Sequence, residues 1–228
     1  MKVAAAILAG GSGRRFGGDV PKQFRLLSGK AVIEYSVDAF EKNELIDEIC
    51  VVAGADYIGL AQEILRRRGC KKPAAVICGG KERYDSSLAA INFFKGRASH
   101  ILIHDAARPM VSERIITEAV RSLAEYDAVC TAVCAADTIA VADPDTETIK
   151  EIPPRRLMYQ VQTPQGFRLE TIAAAYEAAV RDPSFAATDD CGVVRRYLPD
   201  VPIKIVEGST ENLKITYPED LKKLPAGS

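Results

Sequence analysis

Glycines and four basic residues that could bind an anion are concentrated in residues 10–25, near the amino terminus. They are Gly10, Gly11, Gly13, Arg14, Arg15, Lys22 and Arg25. Glycine accepts positive φ angles and lets backbone amides approach an anion, because it has no Cβ in the way. The neighbouring cations would neutralise the charge of that anion, and a polyphosphate suits such a composition. The stretch is therefore a candidate phosphate-binding loop.

The spacing of these glycines excludes two common phosphate loops. A P-loop needs a lysine followed by serine or threonine after its last glycine, and no such pair follows here. A dinucleotide-binding fingerprint matches at Gly11 and Gly13 but has Phe16 in the third position, where a side chain obstructs helix packing. What remains is the pattern L-A-G-G-x-G-x-R-apolar over residues 8–16, followed by Pro-Lys-Gln at residues 21–23. This pattern resembles that of sugar-phosphate nucleotidyltransferases.

Hydrophobic patterns place the loop at the end of a buried strand. Residues 2–8 form a nearly continuous apolar run, which is typical of a strand covered on both faces. Further strands are predicted over 48–53, 74–78, 100–104, 128–133 and 202–207, and helices over 31–42, 57–68, 84–94, 112–125, 169–181 and 189–197, with a last helix opening at 216–219. Alternating strands and helices favour an α/β fold with a doubly wound, mostly parallel, Rossmann-like sheet. We expect one nucleotidyltransferase domain over residues 1–228.

Two further polar segments follow predicted strands. The sequence GGKERYDSS begins after the strand over 74–78, and HDAARP ends the strand over 100–104. Ligands of open parallel sheets bind outside the carboxyl ends of the strands, so we expect these segments and the glycine loop to meet in one cleft. A buried Asp105 carboxylate is costly without a partner, and a hydroxyl, a cation or a metal-bound water is expected beside it.

Composition and charge exclude several classes of protein. The 228 residues are 47% hydrophobic and 27% charged, which is ordinary for a soluble globular protein, and the net charge of −1 argues against a nucleic-acid binder. No apolar run approaches the roughly 18 residues of a membrane span, and a cytoplasmic location is expected.

The six cysteines include no C-x-x-C pair and are predicted to be reduced core residues. Two histidines offer little material for a histidine metal centre or a Ser-His-Asp triad.

The alternation of strands and helices breaks at residues 137–160. Two strand-like pieces around the turn 143–145 predict a protruding β-arm, which would need to pack against something else, such as a second subunit. Asp143 and Asp145 form a D-x-D pattern that binds metal in many glycosyltransferases, but Asp-Pro is also ordinary turn chemistry. Asp189 and Asp190 are predicted to cap the helix that follows them.

Six motifs occur together in an order that is similar to that of cytidylyltransferases making CDP-sugar alcohols. They are LAGGSGRRF with PKQ, GGKERYDSS, HDAARP, TPQGF, TDD and ENLKITYPEDL, and they span residues 8–221. The chain most resembles the 2-C-methyl-D-erythritol 4-phosphate cytidylyltransferase family of the non-mevalonate isoprenoid pathway. The ribitol-5-phosphate cytidylyltransferases are a similar sister family. A non-catalytic nucleotide-binding protein on the same fold is the distant alternative.

The resemblance implies a CTP site. Arg15 and Lys22 match family residues that hold the triphosphate and stabilise charge at the α-phosphate, and Lys214 matches a lysine at the reaction centre. Contacts with CTP are implied for Ala9, Gly10, Gly11, Gly13, Gly80, Lys81 and Ser86, of which the last three read the cytosine. Lys81 departs from the acidic residue common in the family, which puts base selection in question if the side chain makes the contact. Mg²⁺ is implied as the cofactor, held mainly by the CTP phosphates.

The resemblance also implies a site for a small polyol phosphate, the acceptor. Asp105 and Arg108 match residues on its side of the cleft, with a structural ion pair between them as the alternative. Thr138 and Arg155 match residues that bind the acceptor phosphate from the arm. Because the arm crosses to the neighbouring subunit in relatives, these two residues would complete the partner's site in a homodimer. For Arg14 the resemblance leaves phosphate binding and a solvated side chain open.

Overall fold

A computed structural model describes residues 1–11, 16, 20–72 and 74–224. The strands are β1 (Val3–Ala9), β2 (Leu26–Leu27), β3 (Lys30–Ala31), β4 (Glu48–Ala53), β5 (Ala74–Cys78), β6 (His100–Asp105), β7 (Ala128–Cys134), β8 (Val141–Asp143), β9 (Thr148–Glu151), β10 (Tyr159–Arg168) and β11 (Ile203–Glu207). The helices are α1 (Val32–Lys42), α2 (Ile58–Arg68), α3 (Arg83–Phe94), α4 (Glu113–Ser122), α5 (Leu169–Ala179) and α6 (Asp190–Tyr197). Short 3-10 turns cover Lys22–Phe24, Ala55–Tyr57, Arg155–Leu157 and Pro218–Lys223.

Seven strands form the central sheet, in the order β11-β7-β10-β6-β1-β4-β5. Neighbouring strands are parallel except at β10, which is antiparallel to both β6 and β7. The predicted α/β architecture with a mostly parallel sheet is therefore confirmed, with β10 as the exception.

Helices cover both faces of the sheet, which explains why β1 is apolar throughout. Val3, Ala5 and Ile7 pack in one core cluster with residues of α1, α2 and α4. Ala4 and Ala6 point to the opposite face and pack with residues of α3, α5 and α6. Successive side chains of a strand alternate between the two faces, so a strand buried on both sides needs apolar residues at every position.

Two predicted helix ends are confirmed by their backbone geometry. Gly69 follows α2 with φ of +62°, the left-handed conformation in which glycine commonly ends a helix. The Ser112 hydroxyl accepts a hydrogen bond from the Ile115 amide at 3.4 Å, as expected of the residue that caps α4. The last predicted helix is instead the 3-10 turn Pro218–Lys223, and the side chain that receives the amides of Thr216 and Tyr217 is Asp220, at 2.9 Å each.

The largest departure from the sequence prediction is β10. Proline cannot donate a ladder hydrogen bond and is rare in central strands, so residues 161–168 gave no strand signal. In the structure, the pairing of β10 with β7 shifts register between Val161 and Gln165. Pro164 lies in the unpaired interval, which is why this strand tolerates it.

The cysteines are only partly where the sequence predicts them. All six are free thiols, as expected. Cys50, Cys130 and Cys191 are buried, but Cys78 and Cys134 are exposed, so the core interpretation is wrong for these two. Each lies at the end of its strand, β5 or β7, where the sheet reaches solvent.

Residues 137–160 contain the antiparallel pair β8–β9, which forms a sheet of its own. Asp143 ends β8, accepts a hydrogen bond from the Asp145 amide at 2.9 Å and pairs with Lys150 at 3.0 Å. The Asp143 carboxylate therefore organises the turn, as the turn interpretation of the D-x-D pattern predicts. None of the helices in the described part of the chain has the length and apolar composition needed to cross a membrane.

Gly166 in β10 is a position where a side chain should be costly. A Cβ there would lie 2.7 Å from Leu102 Cδ2 and 3.1 Å from Leu123 Cδ1 in the core. We expect Gly166→Ala to lower the free energy of unfolding by about 1–3 kcal/mol through overpacking, as measured by urea unfolding. Gly59→Ala is the control, because no atom lies within 4 Å of its Cβ position in α2. Equal values for both variants would contradict the packing argument.

Candidate active site

A cleft of about 800 Å³ opens where β1, β5 and β6 end. Eight of the residues singled out from the sequence line it: Gly10, Gly11, Lys22, Gly80, Lys81, Ser86, Asp105 and Lys214. The three polar segments therefore meet at the carboxyl edge of the sheet, as predicted. Gly13, Arg14 and Arg15 lie outside the described residues.

Gln23 holds the start of the glycine loop. Its Nε2 atom donates hydrogen bonds to the carbonyl oxygens of Ala9, at 2.6 Å, and Gly11, at 2.9 Å. Gln23 is itself buried, so these bonds are shielded from water. Ala9 is buried behind the loop and does not line the cleft, in contrast to Gly10 and Gly11.

Lys22 connects the loop region to the carboxyl-terminal segment. Its Nζ atom donates to the carbonyl oxygen of Ile215 at 2.5 Å, and the Ile215 amide donates to the carbonyl of Ala107 at 2.8 Å. This bond uses one of the three donor hydrogens of the ammonium group. It orients the Lys22 side chain along the wall of the cleft. The segment that carries Lys214 is thereby fixed between Lys22 and the end of β6.

The wall beyond β5 is a tight turn packed on the first turn of α3. A Cβ at Gly80 would overlap the side chain of Asp85, and a Cβ at Gly79 would lie 2.5 Å from Ser86 Oγ. Asp85 Oδ2 also accepts a hydrogen bond from the Glu82 amide at 2.9 Å. Glycine is required at both positions, and the backbone of this turn is held in one shape.

Asp105, at the end of β6, has the cationic partners that its burial demands. Arg83 Nε donates to its Oδ1 atom at 3.1 Å, and Lys214 Nζ donates to its Oδ2 atom at 2.7 Å. The alternative ion pair with Arg108 is wrong. Arg108 instead donates to the carbonyl oxygens of Asn212, at 2.8 Å, and Val161, at 3.4 Å.

The Asp105 carboxylate is an anion at neutral pH. Burial alone would raise its pKa, but the charges of Arg83, Lys214 and Arg108 and the hydrogen bond from Lys214 hold that pKa well below its usual range. An ionised carboxylate only accepts hydrogen bonds. Asp105 therefore acts as a fixed anchor for cations and for hydroxyl donors, and not as a proton donor.

Arg83 connects Asp105 to a second buried acid, Asp190, which the sequence analysis singled out only as a helix cap. Its NH1 group donates to Asp190 Oδ2 at 2.7 Å, and the Tyr176 hydroxyl donates to Asp190 Oδ1 at 2.7 Å. Asp189, by contrast, caps α6 by accepting the Gly192 amide at 2.9 Å, so the cap prediction is confirmed for Asp189 only. No sequence signal pairs residues 83 and 190, which are far apart in the chain.

A neutral histidine supports the backbone of this region. Thr163 Oγ1 accepts the Asp105 amide at 3.0 Å and lies 3.0 Å from His104 Nδ1, while His104 Nε2 lies 3.1 Å from the Arg108 carbonyl oxygen. A carbonyl only accepts, so Nε2 carries the proton and the Thr163 hydroxyl donates to Nδ1. Burial lowers the pKa of His104 to about 4, which keeps the ring neutral at physiological pH.

The predicted acceptor residues of the arm do not line this cleft. Thr138 and Arg155 are both exposed, and Arg155 NH1 donates to the carbonyl oxygen of Ala136 at 2.9 Å.

The described residues contain no group of three or more histidine, cysteine, aspartate or glutamate side chains arranged to hold a metal.

The family model of 2-C-methyl-D-erythritol 4-phosphate cytidylyltransferase matches residues 3–226. The protein of that name from Thermobifida fusca is 44% identical over 225 residues, which cover 96% of this chain and 90% of that protein. The bifunctional ribulose 5-phosphate reductase/CDP-ribitol pyrophosphorylase Bcs1 of Haemophilus influenzae is 39% identical over 217 residues, covering 94% of this chain and 46% of that protein.

Solved structures show the same likeness across the whole fold. The crystal structure of 4-diphosphocytidyl-2C-methyl-D-erythritol synthase from Anaerococcus prevotii superposes with a TM-score of 0.87 at 28% identity, covering 97% of this chain and 93% of that chain. The structure of 2-C-methyl-D-erythritol 4-phosphate cytidylyltransferase from Thermus thermophilus gives a TM-score of 0.72 at 27% identity, with 98% and 97% covered.

The lowered pKa of His104 should make stability depend on pH. Between about pH 6.5 and 4 the unfolded chain binds a proton that the folded chain does not, so the free energy of unfolding should fall as the pH is lowered. The loss over this window should be on the order of 3 kcal/mol. In His104→Asn, which keeps His100, the free energy of unfolding measured with urea should depend less steeply on pH. An unchanged pH dependence would show that folding does not lower the pKa of His104.

Proposed function

The chain belongs to the 2-C-methyl-D-erythritol 4-phosphate cytidylyltransferase family, and from that premise we propose how its cleft performs the reaction. It is a CTP-dependent nucleotidyltransferase that transfers CMP from CTP to 2-C-methyl-D-erythritol 4-phosphate and releases pyrophosphate. The observation that carries the mechanism is the meeting of the glycine loop, Lys22 and the Asp105–Lys214 pair in one cleft. Because CTP is a cytoplasmic nucleotide, we also propose that the protein works in the cytoplasm.

The reaction is an in-line displacement at phosphorus. An oxygen of the acceptor phosphate attacks the α-phosphorus of CTP, a new P–O bond forms, and the bond to the departing pyrophosphate breaks. No covalent intermediate with the protein is needed, so the protein contributes position and charge. A cleft lined by Gly10, Gly11 and the closely packed turn at Gly80, with the ammonium groups of Lys22 and Lys214, meets both requirements.

CTP binds along the glycine side of the cleft. The backbone at Gly10 and Gly11 faces the triphosphate, and Lys22, together with Arg15 of the same loop sequence, stabilises the charge that builds at the α-phosphate. Gly80 and Ser86 belong to the wall that reads the cytosine. Hydrogen bonds and close packing fix the backbone of that turn, so its amide and carbonyl groups can read the base. If the backbone makes this contact, the side chain at position 81 does not, and Lys81 in place of an acid leaves base selection unchanged.

The acceptor binds on the opposite side, at the end of β6. Lys214 is 38% exposed and reaches the cleft from its pair with Asp105, where it can orient the attacking phosphate. Asp105 can accept a hydrogen bond from an acceptor hydroxyl. The terminal nitrogens of Arg108 bind the carbonyl oxygens of Asn212 and Val161. Arg108 therefore contributes positive charge from behind the wall of the cleft and does not bind the acceptor directly.

We propose that Mg²⁺ would reach the cleft as a complex with CTP. Magnesium keeps several waters and is commonly bound by substrate phosphates with few protein ligands. Both Asp105 oxygens already receive hydrogen bonds from cations. We therefore place the ion on the CTP phosphates, where it would neutralise charge on the departing pyrophosphate.

The acceptor is tested by pyrophosphate release from Mg²⁺ and CTP, with 2-C-methyl-D-erythritol 4-phosphate or ribitol 5-phosphate in parallel. We expect kcat/KM to be about 10- to 100-fold higher for the first, because shape differences of one or two groups in a pocket change selectivity by that amount. UTP in place of CTP is the control for base selection. Preference for ribitol 5-phosphate would place the chain with the sister family, and no release with either acceptor would support a non-catalytic nucleotide-binding protein.

The segment 137–160 and the start of β10 carry an exposed apolar surface, which supports a homodimer. Its large apolar side chains are Val141, Ile149, Ile152, Leu157, Tyr159 and Val161, each between 44% and 63% exposed. A two-stranded hairpin is marginal in water unless it packs against something, and exposed apolar patches commonly mark interfaces. We propose that this arm packs on a second copy and brings Thr138 and Arg155 to the partner's acceptor site.

A mixing experiment tests whether Arg155 acts across the dimer. Lys22→Ala should lower kcat by about 10²-fold, because the charge it stabilises develops in the transition state. Arg155→Ala should raise the KM of the acceptor far more than the KM of CTP. When the two variants are mixed and exchange subunits, each mixed dimer regains one site with both native residues, so at an acceptor concentration far below the raised KM of Arg155→Ala, pyrophosphate release should rise to about a quarter of the wild-type rate.

The same mixture distinguishes the alternatives. If Arg155 acted within its own chain, mixing would restore nothing, because each chain would still carry one defective site. Lys42→Ala, at the exposed end of α1, is the control for loss of a surface lysine and should leave both the kinetics and the mixing result unchanged.

A further inference from the structure

Four alternating charges connect the interior of the protein to the wall of the cleft. They are Asp190, Arg83, Asp105 and Lys214, joined by hydrogen bonds of 2.7, 3.1 and 2.7 Å in that order. The side chain of Asp190 is completely buried, and that of Lys214 is 38% exposed. The row therefore runs from a group that solvent cannot reach to a group that a substrate can touch.

The inner end of the row is fixed by the core. Asp190 accepts the Tyr176 hydroxyl at 2.7 Å, and its backbone amide donates to Gln165 Oε1 at 3.0 Å. Tyr176 and Arg83 each bind one oxygen of this solvent-inaccessible carboxylate, which fixes its orientation because an unpaired buried charge is costly. Arg83 is strongly stabilised in its charged form there: burial alone would lower its pKa, but Asp190 and Asp105 raise it above the ordinary value.

The row divides the two oxygens of Asp105 between two cations. Oδ1 receives Arg83 Nε and Oδ2 receives Lys214 Nζ. A guanidinium fork has the geometry to bind both oxygens of one carboxylate at once. Arg83 does not do so here: its Nε atom binds Asp105 and its NH1 atom binds Asp190, and the two bonds together fix the plane of the guanidinium. The second oxygen of Asp105 is thereby left for Lys214.

We propose that Asp190 is a positioning residue for cytidylyl transfer: by holding NH1 of Arg83, it keeps one oxygen of Asp105 for Lys214 and so fixes the Lys214 ammonium at the cleft. The inference rests on the proposed role of Lys214 at the reaction centre. Asp190 touches no substrate and acts only through Arg83 and Asp105.

The test is Asp190→Asn, which keeps the shape of the side chain and removes its charge. Arg83 should then turn towards Asp105 and displace Lys214. We expect kcat with 2-C-methyl-D-erythritol 4-phosphate to fall about tenfold while the KM of CTP stays within twofold. Reaction of the Lys214 amine with an acylating reagent, followed by mass spectrometry of the free protein, should become at least threefold faster, because the ammonium has lost its partner.

Glu48→Gln is the matched control. Glu48 is a buried acid paired with Arg97, but it lies at the start of β4, on the edge of the sheet opposite the cleft. This variant also removes a buried charge from an arginine pair. It should lose stability without any change in kcat or in the acylation rate of Lys214.

Arg83→Lys is the second test of the positioning role, for use if Asp190→Asn does not fold. The lysine keeps a positive charge beside Asp190, but its single nitrogen cannot hold both carboxylates in the geometry of the guanidinium. The orientation of Asp105 should be lost, with the same fall in kcat and a similar CTP KM.

Two results would overturn the proposal. One is wild-type kcat together with a wild-type acylation rate at Lys214. The other is an equal loss of kcat and of CTP affinity with unchanged acylation, since that pattern indicates general damage to the fold. The acylation assay needs no substrate, so it tests the positioning role even if the wild-type protein releases no pyrophosphate and the proposed function fails.

Discussion

The carboxylate of Asp105 is the group on which the geometry of the cleft depends. It lies at the end of a buried strand, where an unpaired charge is costly, and so it requires cations from elsewhere in the chain. Arg83 comes from α3 and Lys214 from the carboxyl-terminal segment, while Thr163 of β10 receives the Asp105 amide. One buried residue therefore fixes three segments that are distant in sequence: two through its charge and one through its backbone amide.

Close packing has the same effect on the nucleotide side. The first turn of α3 lies against the glycines of two loops, and Ser86 Oγ would be 2.9 Å from a Cβ at Gly10 and 2.5 Å from one at Gly79. Glycine at these positions lets the helix approach both strand ends at once. Because the same helix carries Arg83, the fit of α3 against the loops and the ion pairs of Asp105 reinforce each other. A shift of α3 would disturb both halves of the cleft.

The sequence was sufficient to predict most of the fold and the place of the cleft. Apolar runs and helical periods are local signals, and the carboxyl ends of parallel strands must share one edge, so the meeting of Gly10, Gly80 and Asp105 followed from topology alone. The strand β10 was missed because Pro164 masks it. The pairing of Arg83 with Asp190 depends on how α3 and α6 pack, which no local pattern records. The proposed contribution of Thr138 and Arg155 to an acceptor site would require a second chain, and no pattern within one chain records how two chains pack.

The arrangement of charges also separates two tasks within one cleft. Asp190 balances Arg83, and Asp105 balances Lys214, so this row of four side chains has no net charge. A balanced pair orients a ligand without attracting polyphosphate strongly. The excess positive charge that a triphosphate needs must then come from the loop side, where residues 14–25 carry four basic residues and one acid. In the proposed mechanism, the basic residues of the loop would therefore supply the affinity for CTP, while the row from Asp190 to Lys214 would orient the acceptor.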